Sequence, residues 1–205
     1  MLLIKSKYKI AKRLGAGIFE QTQTQKFALS EARSKGAKTS RGRRGPSDYG
    51  RQLLEKQRLR FTYGLSEKQL SNYAKNAFAQ PNPAAALHKS LEMRADNAVY
   101  RAGIASTRRA ARQMVSHGHI TINGKRITIP SHQLHKGDIV AVREGSRASA
   151  LFAKLTDPEE AARGVKSAWI VLDPSLMKAE VVGEPSYSGA ESGIDYSTVF
   201  EFYSR

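Results

Sequence analysis

Between residues 47 and 118 apolar positions recur at helical spacing, and beyond Gly118 the period shortens to two. The stretch "SDYGRQLLEKQRLRFTYG" (47–64) offers Ser47 as an N-cap and Gly64 as a stop, predicting a long helix. In "LSEKQLSNYAKNAF" (65–78), Ser66 and Gln69 have capping-box spacing, with Leu65 and Leu70 placed as the hydrophobic staple. Leu70, Tyr73, Ala74, Ala77 and Phe78 then form one core-facing stripe. "QPNP" (80–83) ends this unit at a domain boundary, and Asn82 and Pro83 suit the start of the next helix.

Leu91, Ala95, Ala98, Val99 and Ala102 line one face of a further helix that Gly103 closes. Arg94, Asn97 and Arg101 line a different face. "STRRAARQMVSHG" (106–118) is a shorter helix, capped by Ser106 or Thr107 and ended by Gly118, with Ala111, Met114 and Val115 as its apolar stripe. "HITINGKRITI" (119–129) then alternates, turning at Asn123-Gly124 between Ile120/Ile122 and Ile127/Ile129, a strong hairpin signal. Pro130 stops the second strand, "GDIVAV" (137–142) reads as a third, and "SAWIVLD" as another that buries Trp169. Glu159 and Glu160 after Pro158 read as an acidic helix start.

Charge changes this picture. The 205 residues include 34 Lys and Arg against 18 Asp and Glu, a formal net charge of +16, and the sequence pI is near 10.2. Residues 1–60 carry net +12 and 91–147 net +6, whereas 148–205 carry −4. The excess points to a polyanion met by the first three-quarters of the chain. "SKGAKTSRGRRGP" (34–46) has one apolar side chain, Ala37, so residues 1–46 read as a basic extended arm that orders on RNA. No apolar run approaches the roughly 18 residues of a membrane span, and a basic membrane-surface helix would need bulky anchors that are absent. The N-terminus is too basic for a secretory signal. With no cysteine there are no disulfides, thiolate zinc sites or cysteine nucleophiles. His117 and His119 lack the spacing of a zinc helix, and no Walker loop, GxSxG or HExxH occurs. The expectation is a soluble intracellular protein with no cofactor and no metal.

Residues 91–144 resemble the RNA-binding module named after the fourth protein of the small ribosomal subunit. The matching positions are Arg94-x-Asp96-Asn97, Arg101-x-Gly103, Ala111-Arg112-Gln113, His117-Gly118-His119, Asn123-Gly124-Lys125, Pro130-Ser131 and Gly137-Asp138. Residues 47–70 and the terminal "FYSR" (202–205) extend the likeness to the bacterial-type ribosomal S-four (universal uS-four) family. Ala95 stands where the family usually has Leu, an acidic residue often found near Arg109 or Ala110 is missing, and the N-terminal cysteines by which many members hold zinc are absent. Residues 14–46 match poorly.

The resemblance implies an α+β fold. A basic arm (1–46) precedes a helical domain (47–82) completed by the tail 194–205. A mixed domain (83–193) of helices on a small antiparallel sheet holds the module at about 91–147. It implies a non-enzymatic constituent of the small subunit, binding its ribosomal RNA at a multi-helix junction of the 5′ domain and nucleating assembly. The protein would line the messenger RNA entry path beside neighbouring ribosomal proteins, touching messenger RNA transiently, with no membrane partner and no stable homo-oligomer. The expected location is the cytoplasmic ribosome, an organellar ribosome staying open. Three rivals weigh less. An enzyme carrying the module, such as a pseudouridine synthase or a tyrosyl-tRNA synthetase fragment, has no room for a catalytic domain. A module protein acting on stalled ribosomes or transfer RNA would lack the 47–70 block. A membrane-surface protein lacks its anchors.

The expected RNA contacts follow the basic groups. On the arm they are Lys7, Lys9, Lys12, Arg13, Lys35, Lys38, Arg41, Arg43 and Arg44; on the helical domain, Tyr49, Lys56, Arg58 and Arg60. In the module they are Arg94, Asn97, Arg101, Arg108, Arg109, Arg112, Gln113, His117, His119, Lys125, Arg126 and Ser131. Arg108 and Arg109 occupy a first turn where the helix dipole already favours anions. Replacing them and Arg112 with Gln is therefore expected to keep or slightly raise stability while weakening RNA binding.

Overall fold

The computed structural model describes residues 4, 6–36, 47–152, 155, 167–188 and 193–204, with 34–36 as backbone alone. The chain divides into two compact units, one of residues up to Ala84 joined by those from Ser188 onward, the other Ala85–Tyr187.

The first unit is helical. It holds α1 (Lys7–Leu14), two 3-10 turns (Ala16–Ile18, Glu20–Thr22), α2 (Gln25–Gly36), α3 (Asp48–Thr62) and α4 (Glu67–Phe78). The reading of 1–46 as an extended arm is therefore corrected over 7–36, which is largely helical. Ala11, Leu14, Ile18, Phe19 and Phe27 form a small core against which Leu54 and Phe61 of α3 pack. These anchors are spread over two helices and the turns between them, so the basic composition hides them. Lys38, Arg41, Arg43 and Arg44 lie outside the described residues, as does the side chain of Lys35.

The caps of α3 and α4 form as their spacing predicts. Ser47 Oγ accepts from the Gly50 N–H, and Gly64 takes φ +62° beyond the end of α3. At α4 the Gln69 N–H donates to Ser66 Oγ (3.3 Å) while the Ser66 N–H donates to Gln69 Oε1 (3.1 Å). Leu65 and Leu70 are wholly buried. The last helix of the chain (Tyr196–Tyr203) is capped by the Asp195 carboxylate and packs on α3 and α4. Its Phe200 ring meets Phe78 edge-on at 4.6 Å, and its Tyr196 hydroxyl lies 3.3 Å from that of Tyr63.

The second unit sets helices on an antiparallel sheet of five strands in the order β2-β1-β3-β5-β4. The strands are β1 (Ile120–Ile122), β2 (Lys125–Ile127), β3 (Ile139–Val142), β4 (Ile170–Asp173) and β5 (Lys178–Val181). Asn123 (φ +51°) and Gly124 (φ +78°) make the hairpin turn, as the dipeptide predicts. Ile120 pairs with Ile127 on one side and Val142 on the other, aiming Ile120, Ile122, Val140 and Val142 into the core. Trp169 is buried there too. Strand β2 ends at Ile127, leaving Ile129 exposed rather than in the hairpin. Strand β5 is an addition to the sequence reading, although Lys178, Ala179, Glu180 and Val181 alternate outward and inward. The acidic start at Glu159 and Glu160 lies outside the described residues.

Where the spacing predicts one helix over 91–102 there are two, α5 (Pro83–Glu92) and α6 (Ala95–Arg101), with Arg94 in an extended conformation between them. The loop 130–134 crosses this break. The Ala95 and Asp96 N–H groups donate to the His132 (2.8 Å) and Pro130 (3.1 Å) carbonyls, satisfying the open start of α6. Both helices bury the same apolar face, so the periodicity reads straight through the kink. Then α7 (Arg108–Ser116) packs on α6. The C-terminal helix, Tyr196–Tyr203, is α8.

Candidate nucleic-acid interface

Helix α7 begins at Thr107, whose hydroxyl accepts from the Ala110 N–H at 3.1 Å. Ala111, Met114 and Val115 go into the core, leaving Arg109, Gln113, Ser116 and the following His117 on the exposed side. Arg109 and Gln113, four residues apart, share one face. Arg108 and Arg112 behave differently. The Arg108 guanidinium lies over the Tyr100 ring, 4.4 Å from its centroid, and its Nε donates to Asn97 Oδ1 at 2.9 Å. Arg112 Nη1 stands 3.9 Å from Asp96 Oδ2, with the side chain only 17 % exposed. The expectation that a triple Arg→Gln change is neutral or stabilising is thus corrected. Only Arg109 is a simple surface cation at this helix start, and the other two hold α7 to α6.

The polar side of α6 is buried. Arg94, 1 % exposed, grips both Asp96 oxygens through Nε (3.0 Å) and Nη2 (2.8 Å). Asn97, 2 % exposed, donates Nδ2 to the Glu92 carbonyl at 3.3 Å. Arg101 binds the Glu92 carboxylate at 2.6 and 2.9 Å. Arg94 and Asn97, expected at RNA, are therefore withdrawn from the surface, and Arg101 is largely engaged by Glu92. Isolated charge is too costly to bury, and here each is neutralised by a neighbour from the same short stretch.

At the other end of α7, Gly118 takes φ +71° and leaves room for Arg126, whose Nε would lie 2.2 Å from a Cβ there. Arg126 Nη2 donates to the His117 carbonyl at 3.3 Å, a cation at the negative end of the dipole. His119 Nδ1 lies 3.0 Å from Ser146 Oγ, and the His117 and His119 rings are 6.1 Å apart. Lys125, Arg126 and Ser131 are exposed. The Arg143 N–H donates to the His119 carbonyl at 2.8 Å, which sets this exposed arginine beside the histidines. Sequence reasoning misses Arg143, because the β1–β3 pairing that carries it there is not a local signal. Asn123 and Asp138 prove architectural. Asn123 Nδ2 donates to Asp138 Oδ1 (2.8 Å) and its Oδ1 accepts from the Ile139 N–H (2.9 Å). Burial raises the Asp138 pKa, but the His135 N–H, Asn123 and the nearby His135 and His132 rings outweigh it and hold the carboxyl below its ordinary value.

In the helical unit Lys9, Lys12 and Arg13 are exposed on α1, while Lys7 Nζ donates to Gln21 Oε1 at 2.6 Å. Tyr8, 59 % exposed between these lysines, also escapes the sequence reading. Tyr49 is half exposed, its ring 5.8 Å from Phe202. The α3 cations are corrected. Lys56, 6 % exposed, binds Glu67 at 3.0 Å and lies 4.1 Å from the Phe202 ring centroid. Arg58 pairs with Glu55 and donates Nε to the Leu14 carbonyl at 2.9 Å. Arg60 donates to the Leu65 carbonyl (3.2 Å) and lies 3.7 Å from Glu67. Burial raises the Glu67 pKa, yet hydrogen bonds from Lys56 and Tyr203 and the charges of Lys56 and Arg60 bring it below its ordinary value. Burial and the same bond push the Tyr203 phenol up. Lys56 and Arg60 thus lock α3 to α4 and α8, and Arg58 ties it to the end of α1.

Among the described residues no group of three or more His, Cys, Asp or Glu could hold a metal, and no helix is long and apolar enough to cross a membrane. What the geometry offers is polyvalent contact with an anionic surface. Comparison with known proteins gives the family. Residues 3–93 match the family model described as the ribosomal protein S4/S9 N-terminal domain, and residues 93–140 match that of the S4 domain. A small ribosomal subunit protein uS4 from Roseiflexus sp. (strain RS-1) is 42 % identical over 198 residues, covering 96 % of each chain. The protein of that name from Corynebacterium kroppenstedtii is 44 % identical over 166 residues, 80 % of this chain and 82 % of its own. The one from Borrelia duttonii is 36 % identical over 201 residues, 98 % of this chain and 96 % of its own. With family models matching residues 3–140 and relatives of 36–44 % identity covering most of it, the chain belongs to the uS4 family of small ribosomal subunit proteins, structural and non-enzymatic constituents of the ribosome.

Proposed function

We propose that this chain binds small-subunit ribosomal RNA directly, at a multi-helix junction of the 5′ domain, and thereby nucleates assembly of the subunit. In the assembled particle it lines the messenger RNA entry path, with neighbouring small-subunit proteins as lasting partners and messenger RNA as a passing one. The observation that carries the reading is the start of α7. There Arg108 and Arg109 stand at the positive end of a helix with no acidic residue in its first turn, and Arg112 follows one turn on. Arg112 is offset there by Asp96 and Arg108 by Asn97 and Tyr100, so the exposed Arg109 is the cation set against the dipole, and phosphate relieves it. Arg109, Gln113, His117, Lys125, Arg126 and Arg143 give the module an exposed polar and basic surface. Lys9, Lys12 and Arg13 do the same for α1. Helical RNA is gripped through phosphates, 2′-hydroxyls and shape, which suits surfaces that carry cations rather than a groove-reading helix. The work is mechanical: RNA helices are held in a fixed mutual orientation, and no bond is made or broken. Footprinting on purified small-subunit RNA tests it. Protection of a junction in the 5′ domain is expected; protection of transfer RNA alone would overturn the reading.

A further inference from the structure

We infer that Asn97 and Tyr100 are positioning residues for Arg108, fixing its guanidinium at the start of α7 before RNA arrives. The inference rests on the RNA-binding reading of α7 and adds how one of its cations is made ready.

A long surface arginine samples many rotamers, and a phosphate that captures it must first order it. Arg108 is restrained in two independent directions. Asn97 Oδ1 accepts from Nε in the guanidinium plane at 2.9 Å, and the Tyr100 ring supports that plane from one face at 4.4 Å. Both supports are themselves packed in the interior, Asn97 being 2 % and Tyr100 7 % exposed. The orientation of the Asn97 amide follows from its other partner. Its Nδ2 donates to the Glu92 carbonyl at 3.3 Å, and the flipped amide would set two oxygens against each other there. Glu92 in turn is held by Arg101 through two bonds of 2.6 and 2.9 Å. The chain of restraint therefore runs from α5 through α6 to the first residue of α7. It also accounts for a polar stripe that sequence spacing assigns to solvent or RNA. Asn97 and Tyr100 touch no RNA in this scheme; they act through Arg108. Arg109, exposed one residue later, has no such cradle and is the internal comparison.

Pre-ordering one such side chain changes affinity by roughly three- to tenfold without changing the number of phosphates met. That separates positioning from contact. The experiment is a salt titration of binding to purified small-subunit RNA by the full chain and its variants Tyr100→Phe, Tyr100→Leu, Arg108→Gln and the Tyr100→Leu/Arg108→Gln pair. Tyr100→Leu is expected to weaken binding about three- to tenfold with an unaltered slope of log affinity against log salt. Tyr100→Phe, which keeps the ring, binds as the wild type does. Arg108→Gln flattens the slope by roughly 0.7–0.9, and adding Tyr100→Leu to it costs nothing more. Additive losses in the double variant would overturn the positioning role while leaving the RNA contact standing. No change in affinity or slope on Arg108→Gln would instead sink the RNA reading of α7, and the positioning with it. Hydrogen exchange in the free wild-type chain keeps the idea testable if Tyr100→Leu fails to fold. The Arg108 Nε–H is expected to exchange more slowly than that of Arg109, and equal rates overturn the proposal.

Discussion

Replacing the Asp96 carboxylate with an amide removes one charge from the α6 start and deprives the buried Arg94 guanidinium of its carboxylate. Arg94, the largest of the fully buried side chains among the described residues, gives two of its donors to the Asp96 oxygens at 3.0 and 2.8 Å. The Asp96→Asn side chain would keep the volume and one acceptor but present an NH2 where Arg94 Nη2 now finds an oxygen. Breaking a buried pair from one side costs about 3–5 kcal/mol, chiefly because the survivor stays charged and desolvated. The retained acceptor favours the lower end of that range. Loss of Arg112, 3.9 Å from Asp96 and partly exposed, adds under about 1 kcal/mol.

The sum, about 3–4 kcal/mol, lies below the roughly 5–15 kcal/mol that holds a domain folded, so the variant is expected to fold. Trp169 is the chain's only tryptophan and is buried in the same unit. Its emission therefore follows the unfolding of Ala85–Tyr187 in urea. With a slope of about 1–3 kcal/mol per molar, the midpoint falls by roughly 1–4 M. An Arg94→Met/Asp96→Leu variant removes the pair as a unit and is expected to recover most of the loss, since an apolar replacement for a buried ion pair is often neutral or better. Its RNA salt slope matches the wild type, because Arg94 meets no phosphate. A drop below about 1 kcal/mol for Asp96→Asn would refute the reasoning, given the larger cost expected of a stranded buried charge. It would mean that Arg94 swings into water once the carboxylate is gone and was only loosely buried.

Gly118→Ala is expected to cost about 1–2 kcal/mol for its left-handed φ and about 1 more for dislodging Arg126 from the His117 carbonyl; an equal cost in an Arg126→Ala background refutes the second part. Burial holds the His88 imidazole below its ordinary value, with Glu92 opposing and Arg101 reinforcing the shift. Its folded pKa being the lower, its stabilising share is whole above about pH 6.5 and fades as pH falls through the folded value. The Trp169 urea midpoint therefore declines between about pH 7.5 and 5.5, and His88→Phe, which keeps a ring 5.5 Å from that of Tyr187, should remove that component; an unchanged decline refutes it. Arg109→Gln is expected to raise stability by about 0.3–1 kcal/mol while flattening the RNA salt slope by roughly 0.7–0.9; calorimetry and the titration must move in these opposite senses.

What can be read in advance is whatever local chemistry decides. Ser66 and Gln69 form their box, and Asn123-Gly124 turns the hairpin, because those interactions span at most a few residues. The break at Arg94 is invisible in the sequence because the groups that make it tolerable, the Pro130 and His132 carbonyls, come from more than thirty residues on. Strand β5 escapes notice because its partners β3 and β4 supply the order that its own four residues do not announce. The early anchors Leu14, Ile18, Phe19 and Phe27 are discounted when charge is averaged over a segment whose apolar residues meet only in three dimensions.

The interface is legible as a location but not as a set of contacts, and the reason is electrostatic. A guanidinium written in the sequence is the same letter whether it faces phosphate or a carboxylate of its own chain. Of the cations assigned to α3 and α6, Lys56, Arg58, Arg60, Arg94 and Arg101 are spent on Glu67, Glu55, Asp96 and Glu92. Each of those acids lies within eleven residues of its cation. Spacing therefore contains the answer in part: an arginine with an acid at short range in a helical segment is more readily neutralised from within. Arg109 and Gln113 have none on α7, and they stay exposed. The net charge of +16 attracts RNA at a distance, because internal pairs cancel in the far field and the excess does not. Close contact is left to the smaller number of cations that the fold leaves wholly or partly outside, so the salt dependence of binding counts those alone.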